Sequence, residues 1–165
     1  QQVNGVLFPG GGSPLPPSAW KIWNTALELN DQGDFFPIWG TCLGFEYLIQ
    51  MASLAPDSSS DDAIVLEGGY DAENVSWPLI IDSGYDDVST MNSSQSRLYS
   101  ESYIQEIVTT EDVAMNNHIM GVRPSVFELN GYLSTMFLVT SMNLDRHGKP
   151  FVSSIESDFY PYDGV

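Results

Sequence analysis

The only cysteine of the sequence, Cys42, lies in the segment Gly40-Thr41-Cys42-Leu43-Gly44. An apolar run precedes this segment and a helical pattern follows it, so we expect the thiol on a sharp turn between a strand and a helix. A nucleophile on such a turn needs small residues two positions away on either side. The helix N-terminus would favour the nucleophilic thiolate over the thiol. The spacing predicts a cysteine nucleophile, and the competing interpretation is a buried structural cysteine, a common fate of a free thiol.

A second glycine-rich loop, Pro9-Gly10-Gly11-Gly12, follows the first predicted strand. In a parallel sheet both loops fall at the same edge. Backbone N–H groups of Gly10 and Gly11 could then join the N–H of Leu43 to form an oxyanion hole. Taken alone, such a loop is more often only a turn. It lacks the Gly-x-Gly-x-x-Gly spacing of dinucleotide-binding loops, and the sequence contains no Walker motif.

The order of predicted elements indicates the fold class. A strand at Val6 to Phe8, a helix over 18–29, a strand over 35–40 and a helix over 43–52 predict a parallel sheet with helices packed on it. Further along, 53–62 is predicted as a polar loop, 63–69 and 75–82 as β-rich stretches, and 102–111 and 124–136 as helices. The segments 137–143 and 150–157 are predicted as the two strands of a hairpin, and 159–165 as the start of one more strand. The stretch 75–82 is expected at a sheet edge, because Pro78 cannot donate to a ladder.

Composition excludes some partners. The formal charge is −17, from 22 acids against five bases, which argues against binding to nucleic acid or to anionic membranes. No apolar run approaches the ~20 residues of a membrane span. One cysteine and two histidines without ligand spacing suggest neither a metal site nor a cofactor. The glycosylation sequons at Asn74 and Asn92, together with the acidity, favour a lysosomal, vacuolar or secreted protein.

Five segments in this order carry a resemblance to a known family: NGVLFPGGG, FFPIWGTCLGFEYL, SRLY, NNH and IESDFYPYDGV. The chain resembles the γ-glutamyl hydrolases, which belong to the class I glutamine amidotransferase-like superfamily. The resemblance implies an α/β three-layer sandwich of flavodoxin-like type, with a mostly parallel central sheet and helices on both faces. It also implies a cysteine peptidase without a cofactor that hydrolyses γ-linked glutamates, usually of folylpoly-γ-glutamates, through a thioester on Cys42.

The resemblance suggests roles for three further residues. Glu46 matches an acid lining the family's site, His118 matches a histidine near the substrate, and Arg97 matches an arginine that could bind a substrate carboxylate. From the residues alone, the competing interpretations are that Glu46 is a solvated or capping acid, that His118 has a structural role, and that Arg97 is a surface residue. His147 lies in a predicted turn and is expected at the surface.

The resemblance also leads us to expect that a general base is missing. In the family, a Gln-Trp-His-Pro-Glu segment supplies His and Glu after a Tyr-Pro-x-x-Gly-Val strand, whereas the sequence stops at Val165 of that strand. We therefore expect 1–165 to be one incomplete glutamine amidotransferase-like domain. It would lack an upstream strand and helix as well as the downstream His and Glu. On this view the segment alone has little or no hydrolase activity.

Two other functions remain open from the sequence. One is a glutamine amidotransferase domain that hydrolyses free glutamine, and the other is a non-catalytic homologue acting as a subunit of a larger assembly. The partner expected for the leading interpretation is a small γ-glutamyl substrate. A homodimer is an arrangement compatible with that interpretation.

Overall fold

A computed structural model of the chain describes residues 3–54, 65–81 and 96–157. The described residues form five helices and six strands, which confirms the mixed α/β class. The chain divides into two compact units, Gln1–Ala63 and Ile64–Val165. Each unit is described by itself.

The first unit contains two strands and two helices in alternation: β1 (Val6–Phe8), α1 (Pro17–Asp31), β2 (Ile38–Gly40) and α2 (Leu43–Ser53). Strands β1 and β2 pair in parallel, with Leu7 opposite Trp39. The predicted order of elements and the parallel pairing are thus confirmed.

Strand β2 is shorter than the predicted 35–40 because the segment before it bonds to a helix end instead of a strand. The backbone N–H and C=O of Phe36 bond to the side-chain amide of Asn30, near the end of α1. Helix α1 starts with Pro17 at its first turn, where a missing N–H costs nothing. It ends just before Gly33, which has a φ of 78°.

Helix α2 contributes more buried hydrophobic residues than any other described element of this unit. Its buried side chains include Tyr47, Leu48, Ile49 and Met51. The Tyr47 hydroxyl lies 2.9 Å from the carbonyl oxygen of Ser13, and the Tyr47 ring meets Phe8 edge-on at 6.4 Å. One side chain of α2 therefore holds both β1 and the loop that follows it.

The second unit contains four strands and three short helices: β3 (Glu67–Trp77), α3 (Ser102–Thr110), β4 (Ala114–Gly121), α4 (Pro124–Leu129), α5 (Gly131–Met136), β5 (Phe137–Leu144) and β6 (Pro150–Ser157). β3 pairs antiparallel with β4, and β5 pairs antiparallel with β6, which confirms the predicted hairpin. The helix predicted over 102–111 is confirmed as α3. The largest fully buried side chains of this unit include Phe127, Leu133, Met142 and Phe151.

Two predictions for the second unit need correction, and one of its strands was not predicted. The two β-rich stretches 63–69 and 75–82 contribute to a single strand, β3, which ends at Trp77 because Pro78 has no N–H to continue the ladder. The stretch 114–121, for which no element was predicted, is β4. The helix predicted over 124–136 is two helices, since the Asn130 side chain accepts backbone N–H bonds at the start of α5 and ends α4.

The described strands form three two-stranded sheets, and only β1–β2 is parallel. Outside the named strands, Ile80 bridges to Met142. The strand predicted over 159–165 and most of the loop predicted over 53–62 lie outside the described residues. None of the described helices is both long enough and apolar enough to cross a membrane.

Candidate active site

Cys42 lies on the turn between β2 and α2, at the N-cap position of the helix. Its thiol is exposed and not in a disulfide. Its backbone has a φ of 54° and a ψ of −115°, a conformation that a residue with a Cβ rarely adopts. Such strain costs on the order of 1–3 kcal/mol and tends to occur at functional sites. The sequence predicts this strand-turn-helix placement, whereas the role of Cys42 as the nucleophile stays a prediction.

The two glycines that flank Cys42 are required by close backbone contacts. A Cβ built on Gly44 would lie 2.0 Å from the carbonyl oxygen of Phe8 in β1. A Cβ on Gly40 would lie 2.6 Å from the carbonyl oxygen of Gly44. The backbone of α2 thus rests directly on both strands. Packing alone accounts for these glycines, and it also fixes the position of the turn that carries the thiol.

The glycine-rich loop after β1 faces the thiol. A Cβ on Gly10 would lie 3.3 Å from the Cβ and 3.6 Å from the Sγ of Cys42. A Cβ on Gly11 would lie 3.3 Å from the Cδ2 of Leu43, whereas one on Gly12 would meet nothing within 4 Å. The structure therefore brings together Gly10, Gly11, Cys42 and Leu43. Their part in an oxyanion hole stays a prediction.

Glu46 stands one helical turn after Cys42 on α2. Residues four apart share a helix face, and the Glu46 N–H donates to the Cys42 carbonyl oxygen at 3.1 Å. The side chain is half-buried, and this burial raises the pKa of the Glu46 carboxyl. A carboxyl with a raised pKa keeps its proton to a higher pH, and while it is protonated it can donate a hydrogen bond as well as accept one.

His118 belongs to the second unit and lies on β4 opposite Ala72. Its ring is half-buried and meets the Phe151 ring edge-on at 4.8 Å. Nδ1 lies 2.7 Å from the Met120 carbonyl oxygen, and Nε2 lies 3.3 Å from Oδ1 of Asn116. Burial lowers the pKa of His118, and the Met120 hydrogen bond offsets part of that effect. Both ring nitrogens therefore contact oxygen atoms of the same strand, as a structural histidine does.

Arg97 also belongs to the second unit, on an exposed turn before α3. Its backbone N–H donates to Oε2 of Glu156 at 2.9 Å. Three other cations contact carboxylates in this unit: Arg123 and Lys149 contact Glu67, and Arg146 contacts Asp71. Glu156 did not stand out in the sequence, since a single glutamate in a strand gives no signal of its contacts.

The remaining predicted residues are placed as follows. Asn74 is exposed on β3 with a φ of 51°, where its N–H donates to Oδ1 of Asn117 at 3.1 Å, and Asn92 lies outside the described residues. The His147 side chain is 76% exposed, which confirms its surface position. Across 3–54, 65–81 and 96–157, no group of three or more His, Cys, Asp or Glu could hold a metal ion.

Comparison with known proteins points to one group of enzymes. No family model matches the sequence. Gamma-glutamyl hydrolase B of Dictyostelium discoideum is 31% identical over 98% of this chain and 44% of its own length. The gamma-glutamyl hydrolases of Rattus norvegicus and Homo sapiens are 34% and 30% identical over the whole chain, which covers 49% and 48% of them. The chain thus spans about half the length of the curated relatives it matches. Along nearly all of its residues this chain is related to the γ-glutamyl hydrolases, and the resemblance carried by its motifs is confirmed.

Proposed function

We propose that the protein hydrolyses γ-glutamyl bonds, with folylpoly-γ-glutamates as the substrate class and Cys42 as the nucleophile. One observation carries the proposal. An exposed thiol on a positive-φ turn faces a glycine-rich loop, in a chain related to γ-glutamyl hydrolases along nearly all of its residues.

In the proposed first step, the thiolate of Cys42 attacks the carbonyl carbon of the γ-amide. A C–S bond forms, and the carbonyl π electrons move onto the oxygen. The N–H of Leu43, with an N–H from the loop at Gly10 and Gly11, would stabilise this oxyanion. The C–N bond then breaks, the amine leaves with a proton, and a thioester remains. Water adds to the thioester, releases the γ-carboxylate and restores the thiol.

The proton transfers need a general acid and base. The resemblance assigns them to a histidine and glutamate of a Gln-Trp-His-Pro-Glu segment, which is not among these 165 residues. Glu46 would hydrogen-bond the substrate beside the thiol, since it lies one helical turn after Cys42. His118 and Arg97 would contact the glutamyl part of the substrate.

The negative net charge does not prevent binding of an anionic polyglutamate tail. At physiological salt, exposed charges are screened over ~8 Å, so local cations decide whether a carboxylate binds. An arginine suits this task because its fork-shaped guanidinium donates two parallel hydrogen bonds to one carboxylate. Arg97 is our candidate.

The finer points of the predicted fold belong to the same proposal. The protein would form a single flavodoxin-like domain, with β1 and β2 as neighbouring strands of a mostly parallel sheet that has helices on both faces. The parallel pairing of β1 with β2 and the alternation with α1 and α2 support it. We also propose a lysosomal, vacuolar or secreted location, use of the sequons at Asn74 and Asn92, and a homodimer.

The decisive experiment uses the native protein that contains these 165 residues, and compares this wild type with Cys42→Ala and Cys42→Ser on a γ-linked glutamate peptide, with products identified by mass spectrometry. An α-linked peptide and free glutamine serve as control substrates. We expect wild type to cleave only the γ-linked peptide, and both variants to lose roughly 1,000-fold or more in kcat. Equal turnover by wild type and Cys42→Ala would remove Cys42 from the mechanism. Turnover of glutamine alone would favour the amidotransferase alternative.

A further inference from the structure

Two side chains of strand β4, those of Asn116 and His118, form a continuous set of polar contacts along the strand. Nδ2 of Asn116 donates to the Ala114 carbonyl oxygen at 2.9 Å, and Oδ1 of Asn116 lies 3.3 Å from Nε2 of His118. On the other side of the ring, Nδ1 lies 2.7 Å from the Met120 carbonyl oxygen. We call these four groups the Asn116–His118 network. It begins and ends on a backbone oxygen.

The Asn116–His118 network lacks one hydrogen-bond donor while the imidazole is neutral. Both ends are carbonyl oxygens, which only accept, whereas the amide and the neutral ring each have one donor side and one acceptor side. If the amide donates to Ala114 and Nε2 donates to the amide, the bare Nδ1 faces the Met120 oxygen. If Nδ1 donates to Met120 and the amide donates to Nε2, the amide oxygen faces the Ala114 oxygen. In either arrangement two acceptors face each other.

A protonated ring removes this mismatch. Both nitrogens of an imidazolium donate, so Nε2 can donate to Oδ1 of Asn116 while Nδ1 donates to the Met120 carbonyl. Hydrogen bonds from an ionised donor are roughly twice as strong as those between neutral groups. In the structure an oxygen atom faces each ring nitrogen of His118, which is the arrangement that the imidazolium requires.

The pairing of β4 with β3 is irregular where this network lies. His118 is opposite Ala72, and the register shifts on both sides of that pair, between Gly68 and Ala72 and between Ala72 and Val75. Such shifts interrupt the ladder of backbone hydrogen bonds. The network spans positions 114 to 120, so it supports β4 over the stretch where the ladder is interrupted.

The ring of His118 is packed against aromatic rings from two other strands. The ring centroids of Phe151 on β6 and Tyr70 on β3 lie 4.8 Å and 6.4 Å from that of His118. The titratable and charged side chains on this side of the ring form one cluster: Tyr70, Glu67, Lys149 and Arg123. The hydrogen bond from Arg123 lowers the pKa of Glu67 to about 2, and burial raises the pKa of Tyr70. Neither of these two groups therefore changes its charge in mildly acidic solution.

We propose that the Asn116–His118 network is a proton-operated switch in β4: binding of one proton to His118 fixes the ring and the Asn116 amide in one arrangement, and loss of that proton breaks one contact of the network. Burial lowers the pKa of His118 below its ordinary 6.5, so the fixed arrangement forms in acidic solution. The switch moves a single proton between solvent and the ring. It does not depend on the proposed hydrolase activity.

This local effect is opposite in sign to the effect of the same proton on overall stability. The unfolded chain binds the proton more readily than the folded one, because the ring is partly buried in the fold, and acid therefore lowers the stability of the whole fold. Within the folded state, however, the proton completes the network. Acid is thus expected to order the side chains of Asn116 and His118 while the melting temperature falls.

Two substitutions of Asn116 should shift the midpoint of the His118 titration in opposite directions. Asn116→Ala removes the amide, so a neutral ring can donate to Met120 without a mismatch and the imidazolium loses one acceptor. We expect a midpoint about one pH unit lower than in wild type. Asn116→Asp places a carboxylate beside Nε2, which favours the imidazolium, and should raise the midpoint by about one pH unit.

Asn117→Ala is the matched control, because it removes the same amide from the next residue of β4. Oδ1 of Asn117 accepts the backbone N–H of Asn74 at 3.1 Å and takes no part in the network. The His118 midpoint should therefore equal that of wild type.

The measurement is nitrogen NMR of the native protein that contains these 165 residues, over a pH titration from mildly acidic to neutral. The His118 ring signals are identified by their absence in His118→Gln. Wild type alone provides a test that needs no other variant to fold. The side-chain NH₂ signals of Asn116 should change with the same midpoint as the His118 ring, and those of Asn117 should not.

Each outcome decides for or against the switch. Asn116 NH₂ signals that do not follow the His118 midpoint would overturn it, and so would equal midpoints in wild type, Asn116→Ala and Asn116→Asp. A shift of the same sign in both variants would show a general change in packing and would also overturn it. Midpoints that move in opposite directions, with Asn117→Ala unchanged, would support it.

Discussion

The two units join segments that are distant in the sequence by different means. Around Cys42 the contacts are made by backbone atoms. Gly44 packs on the carbonyl of Phe8, and this close packing of α2 on β1 fixes the turn that carries Cys42. In the second unit, charged side chains join segments distant in sequence. Arg123 forms a two-pronged ion pair with Glu67, 56 residues away, and Asp145 accepts the backbone N–H of Asp71.

This difference predicts different sensitivities. Where backbones touch, one added methyl group has no space and the strand or helix must move. Where carboxylates hold the structure, a change of charge or pH weakens contacts that a change of volume leaves intact. The first unit should therefore respond to glycine substitutions, and the second to protonation and to isosteric amides.

Gly44→Ala should have the largest effect on stability. The new Cβ would lie 2.0 Å from the Phe8 carbonyl oxygen, so α2 would have to move off β1. We expect a loss of about 3 kcal/mol or more in the free energy of unfolding, measured by urea denaturation. Gly12→Ala is the control, because a Cβ there meets nothing within 4 Å, and it should stay within about 0.5 kcal/mol of wild type. Equal stabilities of the two variants would contradict the close approach of α2 and β1.

Gly10→Ala should affect turnover more than stability. The added Cβ would lie 3.3 Å from the Cys42 Cβ, a contact that small shifts of the loop can relieve. We expect the free energy of unfolding to change by less than about 1 kcal/mol. The value of kcat for a γ-glutamyl peptide should fall roughly 10- to 100-fold, because the loop N–H groups would no longer lie where the oxyanion forms. If Gly10→Ala and Gly12→Ala both retain the wild-type kcat, this loop is not part of the catalytic site.

Glu67→Gln tests the charge-based contacts of the second unit. The hydrogen bond from Arg123 is the main cause that lowers the pKa of Glu67 from 4.5 to about 2. A lowered pKa adds stability above the unfolded-state value, and that stability is lost as pH falls from 4.5 toward 2. Since the side chain is 34% exposed, screening limits the loss in Glu67→Gln to about 1 kcal/mol at pH 7.

The control for this test is Glu73→Gln, an exposed glutamate on the same strand. The melting temperatures of the three proteins are measured between pH 7 and pH 2. Wild type and Glu73→Gln should melt at higher temperatures than Glu67→Gln at pH 7, and this difference should disappear in acid. An advantage of wild type over Glu67→Gln that stays constant down to pH 2 would show that the contact is not electrostatic.

The titration of His118 should have the smallest effect on stability, and this effect destabilises the protein in acid. Burial lowers the pKa of His118 below its ordinary 6.5, so the unfolded chain binds a proton more readily than the folded one. Stability from this group is complete above pH 6.5 and declines as pH falls below it. We expect the melting temperature of wild type to drop more between pH 7.5 and pH 5.5 than that of His118→Gln. His147→Gln, at an exposed site, should show the same drop in melting temperature as wild type. An equal drop in all three proteins would contradict the buried position of His118.

Local patterns in the sequence were enough to predict the first unit. The apolar run, the two glycines and the helical spacing predicted β2, the turn at Cys42 and α2, because each signal acts within a few residues. The turn of the β5–β6 hairpin was predictable for the same reason. The order of the first four elements predicted a parallel sheet and the resemblance implied a mostly parallel one, whereas two of the three described strand pairs are antiparallel.

The second unit shows where such patterns stop being informative. Strand β4 contains the polar segment Asn116-Asn117-His118, whose composition does not suggest a strand. It is held by pairing with β3, from which it is separated in the sequence by a stretch that includes α3. The break at Asn130 likewise depends on a side chain capping the next helix, which overrides a weak helical pattern.

By itself, the sequence determined the chemistry at hand: one thiol, its flanking glycines, a nearby acid, and a strong excess of carboxylates over cations. The tertiary structure alone decided which backbones touch, that Gly10 lies against Cys42, and that Glu156 receives the turn of Arg97. The reason is one of range. Propensity and spacing act over a few residues, while a hydrogen bond to a carboxylate 59 positions away exists only once the chain has folded.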